Sequence, residues 1–177
     1  PHNPSGTAFT RDEMEAIAAI VRKHPNLYVI SDEVYKFIVH SGPPHVHFAG
    51  LPGMFERTVT ISSAGKTFSA TGWQVGWAVG PERLIKGIQD LMPYVQFCAS
   101  SIMQDAVGKS ITRAGETADY MGSGENYYDW LSGEYRRKRD IIVEGLNGAN
   151  NNCGGGEGSV FRHPTFSDGS TDPLTNN

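Results

Sequence analysis

The chain has 177 residues, of which 38% are hydrophobic, and its 15 basic and 19 acidic residues leave a net charge of −4. This length suits one domain of ordinary size, and the small negative charge argues against nucleic acid or an anionic membrane surface as a partner. The apolar runs are too short to span a bilayer, we expect no signal peptide at the start of the chain, and its 2 cysteines provide no disulfide framework.

A turn and then a helix are predicted at the start of the chain. Asn3-Pro4 has strong turn chemistry. Thr10 suits the N-cap of a helix, and Glu13, three residues later, completes a capping box. Apolar residues follow at helical spacing, and His24-Pro25 ends the pattern.

A buried strand is predicted next. Residues 27–30 form a short apolar run, which is typical of a strand inside a parallel sheet. Asp32 and Tyr35 come at its carboxyl end, where ligands bind in open α/β sheets. A carboxylate in this position is more often a turn or cap residue than a catalytic group. The presence of Asn3 and Lys66 elsewhere in the chain favours a functional role for Asp32.

The loop-rich segment 37–56 carries three histidines, His40, His45 and His47. A His-x-His pair alone is a weak metal signal, and no cysteine or carboxylate stands nearby in the sequence at ligand spacing. We therefore expect no metal site here.

Lys66 lies in a small-residue turn between two segments that alternate with a period of two. These segments, 58–62 and 73–79, are predicted to be strands, and their short connection predicts that they run antiparallel. Lys66 should therefore lie at strand ends, where a rigid sheet can hold it.

Three interpretations of Lys66 compete. A phosphate-binding loop fails, because Thr60 stands where that motif needs its first glycine and because strand alternation, not a helix, follows the lysine. A lysine that forms a Schiff base with a carbonyl cofactor fits the small residues around it, which let a ring approach the backbone. A surface lysine in a hairpin is the default for a lone lysine.

Three more helices and a polar tail complete the chain. One helix should begin at Pro81, a second should cover 101–113, and a long amphipathic helix should cover 125–146. Residues 114–124 are expected to be a linker. The tail 148–177 is rich in glycine, asparagine and turn formers, so we expect it to be disordered.

Four segments in order carry a resemblance to a known family. They are Asn3-Pro4-Ser5-Gly6, Ser31-Asp32-Glu33-Val34-Tyr35, Ser62-Ser63-Ala64-Gly65-Lys66-Thr67-Phe68 and Gly72-Trp73. Together they resemble the pyridoxal-phosphate-dependent aminotransferases of fold type I. Residues 51–58 and 65–73 most resemble the kynurenine aminotransferase, or cysteine-conjugate β-lyase, branch of that family. Each segment alone is weakly specific, whereas the four in this order are strongly specific.

The resemblance implies an α/β fold that is part of the large domain of fold type I, with a mixed, mostly parallel sheet and flanking helices. Residues 1–122 would be the carboxyl-side half of this cofactor-binding domain, and 123–147 a connecting helix toward a small domain. The tail 148–177 does not resemble that small domain. We therefore expect the chain to be a partial one.

The resemblance also implies roles for individual residues around pyridoxal 5′-phosphate. Lys66 would form the Schiff base and move the proton at the substrate's α-carbon. Asp32 would pair with the protonated pyridine nitrogen. Asn3 and Tyr35 would hydrogen-bond the ring's 3′ oxygen, and Ser63 would bind the phosphate.

The implied reaction is amino-group transfer from kynurenine, glutamine or aromatic amino acids to a 2-oxo acid, with β-elimination of cysteine conjugates as a further reaction. A homodimer is implied, in which Phe97 reaches the neighbouring site, although on the sequence alone Phe97 suits an ordinary core. One position departs from the family pattern, because Gln74 stands where a basic phosphate ligand is expected. The implied compartment is cytoplasmic or mitochondrial. The alternative is a non-catalytic fragment or splice remnant of such an enzyme.

Overall fold

The computed structural model describes residues 1–116 and 119–146 in full, together with the backbone of 147–148, 152–153 and 164–165. The expected disorder of the tail 148–177 thus falls largely outside the described residues. The helices are α1 (Arg11–Lys23), α2 (Ala64–Thr67), α3 (Glu82–Val95), α4 (Ser101–Ala114) and α5 (Tyr127–Gly148). The strands are β1 (Val29–Asp32), β2 (Thr58–Ser63), β3 (Gly76–Val79), β4 (Asn152–Cys153) and β5 (Pro164–Thr165).

A three-stranded mixed sheet in the order β1-β2-β3 is the centre of the fold. β1 runs parallel to β2, with Asp32 opposite Ile61, and β3 runs antiparallel to β2, with Gly76 opposite Ser63. The predicted α/β class and the antiparallel direction of the third strand are confirmed. The remaining strands, β4 and β5, form a separate antiparallel pair.

Helix α1 forms as the capping box predicts. The Thr10 hydroxyl accepts a hydrogen bond from the Glu13 amide at 3.3 Å, and the Glu13 carboxylate accepts one from the Thr10 amide at 2.7 Å. Both bonds satisfy amides that the first turn of a helix leaves without a partner. The buried face of α1 packs into a core cluster made of Ala18, Val21, Phe48, Leu51 and Met54.

The first strand differs from its prediction in position and in burial. It begins at Val29, and Ile30 is 73% exposed, so the expectation of a wholly buried strand is wrong. Among the described residues β1 pairs only with β2, and the side of β1 that carries Val29 packs on the core cluster. Alternate side chains of a strand face opposite ways, so Ile30 points away from that core.

The third strand is shorter than the alternating pattern predicts. It begins at Gly76 instead of residue 73, because Thr71–Trp73 forms a single 3-10 turn. Gln74 then adopts a left-handed backbone conformation with a φ of 53°, which interrupts any strand at that point.

The three later helices lie close to their predicted ranges. Pro81 occupies the cap position immediately before α3, and α4 ends one residue beyond its predicted range. α5 is fixed to the rest of the domain by hydrogen bonds from the Tyr127 hydroxyl to the Thr67 carbonyl at 2.7 Å and from the Ser132 hydroxyl to the Val39 carbonyl at 2.8 Å. Within the described part of the chain, no helix has the length and apolar character that a membrane span requires.

Candidate active site

The carboxyl ends of β1 and β2 lie side by side, because the two strands are parallel and in register. The chain leaves β1 through Asp32 and reaches Tyr35 within three residues, and it leaves β2 directly into α2, which carries Lys66. This edge of the sheet is where the architecture of open α/β sheets concentrates ligand contacts.

The Lys66 ammonium group lies over the ring of Tyr35. Its Nζ atom is 5.7 Å from the ring centroid, within the distance at which a cation is attracted to an aromatic face. The Lys66 side chain is half-buried. Across the described residues no carboxylate lies within 4.0 Å of this amine, so no ion pair occupies it. The position therefore offers an amine that is partly shielded from water.

Tyr35 links Lys66 to the start of the chain. The Asn3 side-chain amide donates a hydrogen bond to the Tyr35 hydroxyl at 3.1 Å. Since that hydroxyl is the acceptor in this bond, its own proton remains available for another acceptor. Asn3, Tyr35 and Lys66, which are far apart in the sequence, therefore form one continuous group.

Asp32 and Ser63 lie at the same sheet edge without joining that group. The exposed Asp32 carboxylate accepts a hydrogen bond from the Val34 amide at 3.2 Å, as in an Asx turn. Ser63 occupies the cap position before α2, but its hydroxyl makes no capping bond. Among the described residues, neither side chain forms a hydrogen bond with Asn3, Tyr35 or Lys66.

The turn around Lys66 depends on close backbone packing at Gly65. A Cβ atom added to Gly65 would lie 2.9 Å from the Thr71 Cα and 3.3 Å from the Ser63 Oγ. The Thr71 hydroxyl also donates a hydrogen bond to the Gly65 carbonyl at 3.2 Å. Because only glycine allows this approach, the small-residue turn predicted around Lys66 has a steric reason.

Gln74 and Phe97, the two positions that the resemblance singles out beyond the core set, are both exposed. The Gln74 side-chain amide donates to the Thr71 carbonyl at 2.6 Å, so this amide is already engaged within the turn. Phe97 is 78% exposed and has a φ of 70°. The interpretation of Phe97 as a core residue is therefore wrong.

Two polar contacts near Lys66 have no signal in the sequence. The Lys36 ammonium donates to the Ser62 hydroxyl at 3.2 Å, so a second lysine lies next to the end of β2. Tyr127 binds the carbonyl of Thr67, and burial, followed by the nearby tyrosines, raises the pKa of Tyr127 to about 12. Both contacts join segments that only the complete fold brings together.

Glu33, which follows Asp32 in the sequence, has a buried carboxylate that takes part in four hydrogen bonds. His45 Nε2 lies 3.1 Å from Glu33 Oε2, and His47 Nδ1 makes a still closer hydrogen bond to the same oxygen. Burial alone would raise the pKa of Glu33, but the hydrogen bonds from the two imidazoles outweigh it and lower the pKa to about 2. Glu33 is 12 residues before His45 in the sequence, so it is the fold that brings this carboxylate to the two histidines.

Comparison with known proteins identifies relatives of this chain. The chain is 43% identical over 150 residues to the kynurenine–oxoglutarate transaminase of Dictyostelium discoideum, covering 84% of this chain and 33% of that protein. It is 44% identical over 147 residues to kynurenine–oxoglutarate transaminase 3 of Mus musculus, covering 83% of this chain and 31% of that protein. The chain thus spans about a third of the length of these curated relatives.

Solved structures show the same architecture. YbdL from Escherichia coli, for which a methionine aminotransferase function has been identified, matches 97% of this chain and 42% of its own with a TM-score of 0.83 and 33% identity. The aromatic aminotransferase from Pyrococcus horikoshii matches 95% of this chain and 43% of its own with a TM-score of 0.79 and 30% identity. Residues 1–170 match the family described as aminotransferase class I and II. The chain therefore belongs to the aminotransferase class I and II family.

Proposed function

We propose that this chain carries the lysine-bearing part of a pyridoxal-phosphate site that transfers amino groups to a 2-oxo acid. The single observation that carries the proposal is the Asn3–Tyr35–Lys66 group. In this group the Lys66 amine is half-buried, and no carboxylate of the described residues forms an ion pair with it. The amine lies 5.7 Å from the centroid of the Tyr35 ring, and the Tyr35 hydroxyl accepts a hydrogen bond from Asn3. An amine in this setting is suited to covalent chemistry with a carbonyl group.

The residues at this edge fit pyridoxal phosphate at its ring and at its carbonyl end. Tyr35 retains a hydroxyl proton that can be donated, and one hydrogen bond from the Val34 amide leaves acceptor capacity on the Asp32 carboxylate. The hydroxyl of Ser63 makes no capping bond and remains available for a phosphate oxygen. Gln74 suits the phosphate end of the cofactor less well, because its side chain has no charge and its amide already donates to the Thr71 carbonyl.

In this proposal each residue has a distinct role. The Lys66 Nζ atom would hold the cofactor at its carbonyl carbon, and the same amine would take up and return the proton at the substrate's α-carbon. The Asp32 carboxylate would hold the proton on the pyridine nitrogen, and Asn3 and Tyr35 would hydrogen-bond the ring oxygen. Ser63 would donate to the phosphate. When bound, pyridoxal phosphate supplies the electron-withdrawing ring that makes the α-proton acidic.

The proposed amino donors are kynurenine, glutamine and aromatic amino acids, with β-elimination of cysteine conjugates as a second reaction of the same site. The names of the transaminases that are 43% and 44% identical to this chain support kynurenine and a 2-oxo acid. We further propose that the parent enzyme is a homodimer, with the exposed Phe97 directed toward the partner's site. Residues 1–122 would be the carboxyl-side half of the cofactor-binding domain, and 123–147 the helix that leads out of it.

Covalent labelling of the purified chain tests the proposal. The chain is incubated with pyridoxal phosphate, reduced with borohydride and mapped by peptide mass spectrometry, alongside Lys66→Arg and Lys36→Arg. Lys36 is the matched control, because it also lies at this edge and hydrogen-bonds Ser62. We expect an absorbance band of the bound cofactor and a label on Lys66 that Lys66→Arg abolishes and Lys36→Arg retains.

Transfer of the amino group is then followed by adding kynurenine and a 2-oxo acid to the cofactor-loaded chain. Loss of the absorbance band with kynurenine and its return with the oxo acid would support transamination. A label scattered over surface lysines, equal in both variants, would instead favour the non-catalytic fragment.

A further inference from the structure

The buried side of the β1 end contains three potential metal ligands that the proposed cofactor chemistry does not use. The Nε2 atom of His45, the Nδ1 atom of His47 and a carboxylate oxygen of Glu33 all lie within 4.8 Å of one another. Only 2% of the Glu33 side chain and 16% of the His45 side chain are exposed, whereas 57% of the His47 side chain is exposed. Glu33 and His45 are therefore the inner ligands of this group, and His47 is the ligand at the surface.

The two oxygens of Glu33 have different partners. Oε1 accepts hydrogen bonds from the Ser31 hydroxyl at 3.0 Å and from the Phe48 amide at 3.4 Å. Oε2 is the oxygen that both imidazoles approach. One oxygen is thus fixed by protein donors while the other faces two imidazole nitrogens, which is how neighbouring groups orient a carboxylate that binds a metal.

The ligand set and its spacing suit zinc. Two imidazoles and one carboxylate, with a fourth position left for water, are a common zinc arrangement, with bonds of about 2.0–2.2 Å. Tetrahedral geometry at these bond lengths places ligand atoms about 3.3–3.6 Å apart. His45 Nε2 and Glu33 Oε2 are already 3.1 Å apart. Rotation of the exposed His47 ring supplies the remaining adjustment, because solvent lies on that side.

A cavity lies beside two of these ligands. A cavity of about 320 Å³ borders Glu33 and His45, and its lining includes Ser31 and Phe48. This cavity gives an ion and its water ligand space beside Glu33 and His45.

We propose that Glu33, His45 and His47 form a three-ligand site for a borderline divalent metal ion, Zn²⁺ above all. Binding replaces the hydrogen bonds between the imidazoles and Oε2 with bonds to the ion, and any proton on the coordinating nitrogens is released to solvent. The bound ion would link the end of β1 to the loop that contains both histidines. This proposal does not depend on the proposed transamination.

Metal binding to the full chain tests the site. After dialysis against a chelator, Zn²⁺ is titrated by calorimetry into the wild type, His47→Ala and His24→Ala. His47 is chosen because its exposed ring can be removed without opening the core. His24 is the matched control, because it is an exposed histidine whose ring makes no hydrogen bond among the described residues.

We expect one Zn²⁺ per chain with a dissociation constant below about 10 μM, unchanged in His24→Ala and weakened at least about a hundredfold in His47→Ala. Glu33→Gln should weaken binding similarly, with its fold checked by circular dichroism. Co²⁺ binding should give the visible absorption of a nitrogen and oxygen site without a thiolate band. A wild-type dissociation constant above about 10 μM, equal affinity in His47→Ala, or a thiolate band from Cys98 or Cys153 would each overturn the proposal.

Discussion

Gly65→Ala should destabilise the chain through a steric clash beside Lys66. The new Cβ would lie 2.9 Å from the Thr71 Cα and 3.3 Å from the Thr71 amide nitrogen. These are backbone atoms, so no side-chain rotation can relieve the contact and the turn must move. Such overpacking costs about 1–3 kcal/mol, and replacing a glycine returns about 0.4–1 kcal/mol by restricting the unfolded chain. From the middle of these two ranges, the net expected loss of unfolding free energy is about 1–2 kcal/mol.

Urea denaturation measures this loss, with Gly72→Ala as the control. With a slope of about 2 kcal/mol per molar urea, the midpoint of Gly65→Ala should fall by about 0.5–1 M. A Cβ on Gly72 meets nothing within 4 Å, so Gly72→Ala should keep the wild-type midpoint or raise it slightly. If the two variants unfold at the same urea concentration, close packing at Gly65 does not shape the Lys66 turn.

Three further substitutions probe the cap, the pH dependence and the core, each by urea denaturation. Thr10→Ala removes the hydroxyl that accepts from Glu13 and should cost about 1 kcal/mol, whereas Thr10→Ser should cost far less; equal losses would exclude the cap as the cause. Because the pKa of Tyr127 is raised in the folded state, the unfolded state loses this proton at a lower pH than the folded state does. The unfolding free energy of the wild type relative to Tyr127→Phe should therefore fall between pH about 10 and about 12. A difference in unfolding free energy that stays constant over this range would contradict the raised pKa. Because Met54 is fully buried, Met54→Ala should lower the unfolding free energy by about 2–5 kcal/mol and Met54→Leu by less than about 1.5 kcal/mol. Similar losses in the two variants would mean that the core closes over the cavity left by alanine.

The fold was predictable from the sequence wherever local contacts decide it. The cap of α1 depends on Thr10 and Glu13, which are three residues apart, and the direction of β3 follows from a short connection. The exposure of Ile30 depends on which elements cover β1, and the late start of β3 depends on the left-handed conformation of Gln74. Alternation of polar and apolar residues indicates that a segment is a strand. It does not show which elements will cover that strand or which residue will adopt a left-handed conformation.

The candidate site was predictable to the extent that parallel strands bring their carboxyl ends together. That rule brings Asp32, Tyr35 and Lys66 to one sheet edge, and the resemblance adds Asn3, whose bond to Tyr35 spans 32 residues of sequence. The grouping of Glu33 with two histidines had no comparable signal. It arises because the loop after β1 folds back onto the strand, and the spacing of residues along the chain does not specify that return.

Asp32 and Glu33 are adjacent residues at one strand end, and each belongs to a different proposed site. The Glu33 amide donates to the Ile61 carbonyl at 3.0 Å, so pairing with β2 continues one residue beyond β1 and the two carboxylates face opposite ways. Asp32 is exposed and receives only one local hydrogen bond among the described residues, which leaves its carboxylate open to a ligand. The buried carboxylate of Glu33 is fixed by four hydrogen bonds, which involve Ser31, His45, His47 and Phe48. Because the two residues share a peptide bond, the contacts on the buried side hold the backbone from which Asp32 projects. The backbone position of Asp32 therefore depends on the contacts of Glu33, whereas the Asp32 side chain is held by the adjacent turn.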